Sequence, residues 1–91
     1  MSEITPEDID FLYWHAVNKM RSGSFYSAHQ FFRYVMGERP SFMTGLAMAY
    51  CAIRENDKAQ AAYDLSLITP QDDRQKRLYE RLLRRTKAGK A

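Results

Sequence analysis

The decisive stretch is AVNKMRSGSFYSAHQFFRYV at residues 16–35, because it aligns without a gap with AYCAIRENDKAQAAYDLSLI at residues 49–68, which lie 33 positions later. Small, turn-forming and apolar residues match at equivalent positions: Ala16 with Ala49, Met20 with Ile53, Gly23 with Asn56, Ser24 with Asp57, Ala28 with Ala61, Phe32 with Leu65 and Val35 with Ile68. An internal period of this length is typical of stacked pairs of helices. The sequence therefore predicts an all-α helical repeat protein.

Capping and turn residues divide the chain into five predicted helices. The capping pattern Thr5-Pro6 opens the first. Turns at Gly23, Gly37 and Asn56 separate the next three, which are capped by Ser24, Ser41 and Asp57. The predicted helices are 6–21, 25–36, 42–55, one from residue 58 to near 68, and one opened by Thr69-Pro70 that runs to about 87. We expect one domain over residues 1–91, with a first hairpin at about 6–37, a second at about 42–68, a capping helix at about 70–87 and a frayed tail at 88–91.

Composition limits the class of protein. The chain has 91 residues, of which 45% are hydrophobic and 13% aromatic, which is too apolar for a disordered protein. No apolar run approaches the roughly 18 residues that span a bilayer, so we expect no membrane insertion. The N-terminus lacks a basic region followed by an apolar stretch, so a cytoplasmic location is expected. Cys51 is the single cysteine, and we expect a reduced, packed thiol.

The net charge of +3 is unevenly distributed. Residues 74–90 hold eight basic residues against Glu80 alone, while the remainder holds six basic and ten acidic residues. This basic segment fits a solvated capping helix, and its alternative role is binding of nucleic acid or of an acidic surface. The sequence argues against nucleic acid, since Tyr79 is the one aromatic residue of the segment that could stack on a base.

Motifs that would indicate catalysis are missing from the sequence. We find no glycine-rich phosphate loop, no serine elbow and no paired carboxylates outside helix starts, so no catalytic residue is assigned and the protein is not expected to be an enzyme. His15 and His29 are isolated on different predicted helices, so neither is expected to bind a metal. No cofactor is predicted.

The pattern Ala28-x3-Phe32 with Pro40 eight residues later resembles the second helix of a tetratricopeptide repeat. A competing pattern, Ala59-x3-Tyr63, leaves the register of the second repeat open. More specifically, the run from Phe25 to Phe32 (FYSAHQFF), followed by RPSF at residues 39–42 and GLA at 45–47, resembles the repeat region of bacterial type III secretion chaperones over residues 10–68.

The resemblance implies a function and a class of partner. Chaperones of that group hold needle subunits, translocators or other early substrates in the bacterial cytoplasm before export. A chain of 91 residues is closest in size to those that serve a needle subunit or a small export-apparatus partner. Whether a second co-chaperone joins the complex stays open. A nucleic-acid-binding adaptor and a generic tetratricopeptide scaffold module are the alternatives.

The resemblance also places a partner-binding groove on the concave side, along one stripe of each first helix. The predicted stripe comprises Tyr13, Val17, Met20, Arg21, Met43, Leu46, Tyr50, Ile53 and Arg54. Seven of these nine residues are apolar or aromatic, and the lysines and asparagines of a carboxylate clamp are missing. The stripe therefore suits the apolar face of an amphipathic helix or an extended apolar segment. Two alternatives stay open: single residues of the stripe belong to the core, or the C-terminal helix folds into the groove.

A second interface is predicted on another face of the first helix. Phe11 and Trp14 lie there, and exposed aromatic residues often anchor partners. The alternative, which the sequence favours for Trp14, is that it packs beneath the N-terminus.

Overall fold

The computed structural model describes residues 3–87, and these residues form five α-helices and no strand. The helices are α1 (Pro6–Arg21), α2 (Phe25–Glu38), α3 (Phe42–Arg54), α4 (Lys58–Ser66) and α5 (Asp73–Lys87). The predicted all-α fold is confirmed, whereas the tetratricopeptide-like nature of the hairpins stays a prediction. The predicted frayed tail at 88–91 lies outside the described residues.

Three of the predicted helix caps are present. Thr5 and Asp8 form a reciprocal capping box at α1, with both hydrogen bonds at 3.1 Å. The Ser41 hydroxyl accepts from the Thr44 N–H at the start of α3. The prediction that the Ser24 hydroxyl caps α2 is wrong, since it forms no such bond. Asp57 has a similar backbone at the start of α4, but its longer side chain reaches the Gln60 N–H.

The start of α5 differs from the prediction. The helix begins at Asp73, and the Asp72 carboxylate accepts from the Gln75 N–H at 2.8 Å. Thr69 and Pro70 stay outside the helix, and Asp72, whose side chain is a stronger N-cap than that of threonine, caps α5 instead. The preceding helix α4 is shorter than expected and ends at Ser66.

Most residues that match in the two aligned stretches have matching environments. Gly23 and Asn56 both have positive φ, at 89° and 61°, so each turn is closed by a left-handed residue. The four matched alanines are fully buried, as is Phe32, and Leu65 is 1% exposed. The 33-residue period in the sequence is therefore a period in burial and in turn geometry.

Each helix packs against the next, and α5 contacts α3 as well as α4. One cluster of buried residues joins α3, α4 and α5 through Leu46, Leu65 and Leu82. A second cluster joins α1, α2 and α3 around Ala16, Ala28 and Phe32. Gly45 allows the close approach of the chain after α4, because a methyl group there would collide with the Ile68 side chain.

Candidate partner-binding groove

An open cavity of about 280 Å³ lies between α1, α3 and α5, and we call it the apolar groove. Six residues of the predicted stripe line it together with five that were not predicted. The predicted residues are Tyr13, Val17, Met20, Met43, Leu46 and Tyr50, and the additional ones are Phe32, Ala47, Leu78, Arg81 and Leu82. The sequence-based stripe therefore marks most of the α1 and α3 side of one continuous surface.

Aromatic contacts hold the two tyrosines of the groove in place. The ring of Tyr13 meets Phe32 edge to face at 5.7 Å between centroids, and that of Tyr50 meets Phe25 at 6.0 Å. Such contacts contribute stabilisation in addition to that from the burial of apolar surface. Met43 is 49% exposed and Met20 is half-buried, so flexible thioethers lie beside fixed rings. The surface therefore combines packed aromatic rings with flexible, partly exposed thioethers.

Ile53 does not line the groove, so its assignment to the stripe is wrong. It is 8% exposed and belongs to the buried cluster of α3, α4 and α5. The equivalent residue Met20 is half-buried in the groove. The two positions differ because α5 packs on α3 and brings Leu82 into that cluster, whereas α1 lacks such a cover among the described residues.

The C-terminal helix forms a wall of the groove and does not fill it. Leu78, Arg81 and Leu82 of α5 line the cavity, which stays open between this wall and α1. Leu78 is 36% exposed, whereas Leu82 is buried. The i, i+4 spacing of these leucines indicates an apolar face on α5, but it does not specify which helix that face packs against. Leu46 is 8% exposed and forms the floor, so it belongs to both the groove and the core.

The predicted arginines lie at one end of the groove. Arg21 and Arg54 line an adjoining depression that shares Met20 and Tyr50 with the groove. The Arg54 guanidinium carbon lies 4.5 Å from the centroid of the Phe25 ring, and its Nη1 donates to the Tyr50 hydroxyl at 2.9 Å. We call this depression the basic end.

Phe11 and Trp14, the predicted second interface, are exposed on α1. Trp14 is 61% exposed and Phe11 is 68% exposed. Trp14 touches Tyr13 edge to face at 5.2 Å, so it adjoins the groove. The expectation that Trp14 packs beneath the N-terminal segment is wrong for the described residues 3–5, which leave it open to solvent. Phe11 stacks on His15, which in turn meets Phe31 at 4.6 Å.

A buried polar cluster links α2 to α4, and the sequence reasoning missed it. His29 Nε2 lies 2.8 Å from Asp64 Oδ2, and Gln60 Nε2 donates to Asp64 Oδ1 at 2.9 Å. Asp64 is 0% exposed and His29 is 7% exposed. The missed signal is that Asp64 occupies the i+3 position of the apolar series Ala61, Leu65 and Ile68, where a carboxylate requires a partner.

Cys51 is a free thiol buried beside this cluster, as predicted. Burial, together with the smaller effect of the nearby carboxylates of Asp64 and Glu55, raises its pKa to about 12. A buried thiol with a raised pKa is neutral at physiological pH and a poor nucleophile. The polar cluster of His29, Gln60 and Asp64 joins α2 to α4.

The comparisons with known proteins add no relative, since no family model, no curated protein and no solved structure matches the chain. Among residues 3–87 no helix is long and apolar enough to cross a membrane. Within that same range, no group of histidine, cysteine, aspartate or glutamate residues is arranged to hold a metal ion.

Proposed function

We propose that this protein is a chaperone whose apolar groove binds and masks an amphipathic helix of a small type III secretion subunit before export. The observation that carries the proposal is the open apolar groove between α1, α3 and α5. Its lining is apolar except for the tyrosine hydroxyls and Arg81, and exposed apolar surface of this kind marks sites of protein association. The resemblance of residues 10–68 to secretion chaperones supports the choice of partner.

Groove-bound helices are held by apolar side chains at helical spacing. The groove supplies matching features: ring faces from Tyr13 and Tyr50 and a mobile thioether from Met43. An aggregation-prone subunit whose apolar face occupies this groove is kept from self-association. The export step then requires release, which suits a surface with few hydrogen bonds.

The test is co-expression with candidate needle-type subunits, followed by size-exclusion chromatography and mass analysis. We expect a stable complex with the unaltered chain and its loss in Met43→Asp, because a carboxylate in an apolar interface is desolvated without a partner. Met43 is the second residue of α3, where a carboxylate is favourable for the helix, so the variant stays folded.

Tyr26→Asp is the matched control. Tyr26 is the second residue of α2, as Met43 is of α3, it is 68% exposed, and it lies outside the apolar groove. The control variant retains the complex if the groove is the binding surface. A complex that survives Met43→Asp, or one lost equally in both variants, contradicts the proposal.

A second candidate function rests on the charge of α5. Its basic residues Arg74, Lys76, Arg77, Arg84, Arg85 and Lys87 are exposed, as a nucleic-acid adaptor requires. The described residues around them offer few aromatic side chains for stacking on bases. The chaperone is therefore the favoured function.

A further inference from the structure

The apolar groove ends in positive charge. The basic end continues from the groove through Met20 and Tyr50 and adds the side chains of Arg21 and Arg54. A segment that follows the groove past Tyr50 therefore meets two guanidinium groups. This change from apolar to cationic lining occurs at one end, where α1 and α3 finish.

Contacts with two aromatic rings hold the Arg54 guanidinium in place. Its central carbon lies 4.5 Å from the centroid of Phe25 and 5.9 Å from that of Tyr50. One N–H donates to the Tyr50 hydroxyl, which leaves most of the five N–H donors of an arginine without a described partner. An ordered guanidinium loses less conformational entropy when it binds a carboxylate.

Neither arginine of the basic end has a counterion among residues 3–87. The ion pairs of His29 with Asp64 and of Arg39 with Asp10 involve neither of them. Arg21 and Arg54 end their own helices, where any cation is favourable. That effect requires charge alone and does not account for a guanidinium stacked beside Tyr50 on the rim of the groove.

We propose that the basic end binds acidic side chains that follow the apolar face of the partner helix at one of its ends. The occupant is thus an amphipathic helix with carboxylates at one terminus, and this inference rests on the proposed function. Arginine and carboxylate form charge-assisted hydrogen bonds in a fork geometry. A neutral or basic terminus would cover the two guanidinium groups without pairing them, which lowers affinity.

Three synthetic helical peptides test the inference. They share one length, one leucine-rich apolar face, blocked ends and a fluorescein label, and they differ in the last turn, which holds two glutamates, two glutamines or two lysines. Fluorescence anisotropy gives the Kd of each peptide with the full chain. We expect the glutamate peptide to bind about 3- to 10-fold more tightly than the glutamine peptide, as for partly exposed ion pairs. The lysine peptide binds most weakly, and the differences shrink as salt is raised.

Variants of the chain test whether Arg21 and Arg54 cause the preference for the glutamate peptide. In Arg21→Gln with Arg54→Gln, we expect the glutamate peptide to lose its advantage while the Kd of the glutamine peptide stays within about 2-fold. Arg74→Gln with Lys76→Gln removes the same charge from α5 outside the groove and keeps the advantage. Arg54→Lys retains the positive charge but lacks the planar fork, so the glutamate peptide should keep only part of its affinity advantage. Far-UV circular dichroism of each variant confirms the helical content.

The outcomes separate this inference from the proposed function. If the unaltered chain binds the glutamate and glutamine peptides with equal affinity, the inference that the basic end binds carboxylates is wrong. The groove then remains a proposed site for a helix. A glutamate preference that persists in the double arginine variant also overturns the inference. If none of the three peptides binds, both the inference and the proposed function fail.

Discussion

Removal of either member of the buried pair between His29 and Asp64 should destabilise the fold strongly. The pair lies at 2.8 Å, with side chains 9% and 0% exposed. Loss of one partner breaks this contact in the core and costs about 3–5 kcal/mol, even though the Gln60 amide still donates to Asp64 when His29 is removed. A domain of this size has a free energy of unfolding of roughly 5–14 kcal/mol, so His29→Ala or Asp64→Ala removes a large part of it.

Urea unfolding followed by circular dichroism measures these changes. The double variant should cost less than the sum of the two single variants by about 1–3 kcal/mol, because the second truncation removes a group that the first has already left unpaired. Tyr63→Ala is the control: Tyr63 precedes Asp64 on α4 and is 60% exposed, so its truncation should cost under about 0.5 kcal/mol. If each single variant costs less than about 1 kcal/mol, or if the two costs are strictly additive, His29 and Asp64 do not stabilise the fold as a coupled pair.

Three further predictions concern the core, the thiol and the basic helix. Ala28→Leu and Ala61→Leu should each destabilise the fold by about 1–3 kcal/mol, since both alanines are 0% exposed at helix contacts; unchanged melting temperatures would contradict the packing. The Cys51 thiol, whose pKa is raised to about 12, should resist disulfide reagents at about pH 8 in the folded chain and react fully in urea; rapid reaction without urea would show that burial does not protect it. Replacement of Arg84, Arg85 and Lys87 by glutamine should change stability by less than about 0.5 kcal/mol, and we expect no binding of a random oligonucleotide at physiological ionic strength. Micromolar binding lost in that triple variant, with a steep dependence on salt, would favour the nucleic-acid adaptor.

Most of the helix boundaries could be predicted from residues that lie close to them in the sequence. Gly23 and Asn56 mark the two turns because their positive φ is a property of single residues and their neighbours. The end of α4 and the start of α5 were less predictable, since Thr69-Pro70 and Asp72 offer competing start signals within four positions. The choice between them depends on the backbone of that connection.

The groove was predictable where its lining follows helical spacing on α1 and α3. Its α5 wall was not, because the contact between α5 and α3 is a tertiary feature that no local pattern specifies. The same contact buries Ile53, which the alignment with Met20 had placed in the groove. The partner of His29 was hidden for a similar reason: Asp64 lies 35 residues away, so only the packing of α2 and α4 brings the two together.

Binding of an amphipathic helix in the apolar groove is tested most directly by nuclear magnetic resonance. The chain with methyl-labelled methionine is titrated with the glutamine-ended amphipathic peptide. Met20 and Met43 line the apolar groove, whereas Met48 is 2% exposed in the core and Met36 lies outside the groove. If the peptide binds in the groove, the Met20 and Met43 methyl signals shift saturably, while those of Met36 and Met48 stay nearly unchanged. Saturable binding that leaves the signals of Met20 and Met43 unmoved would contradict binding in the groove.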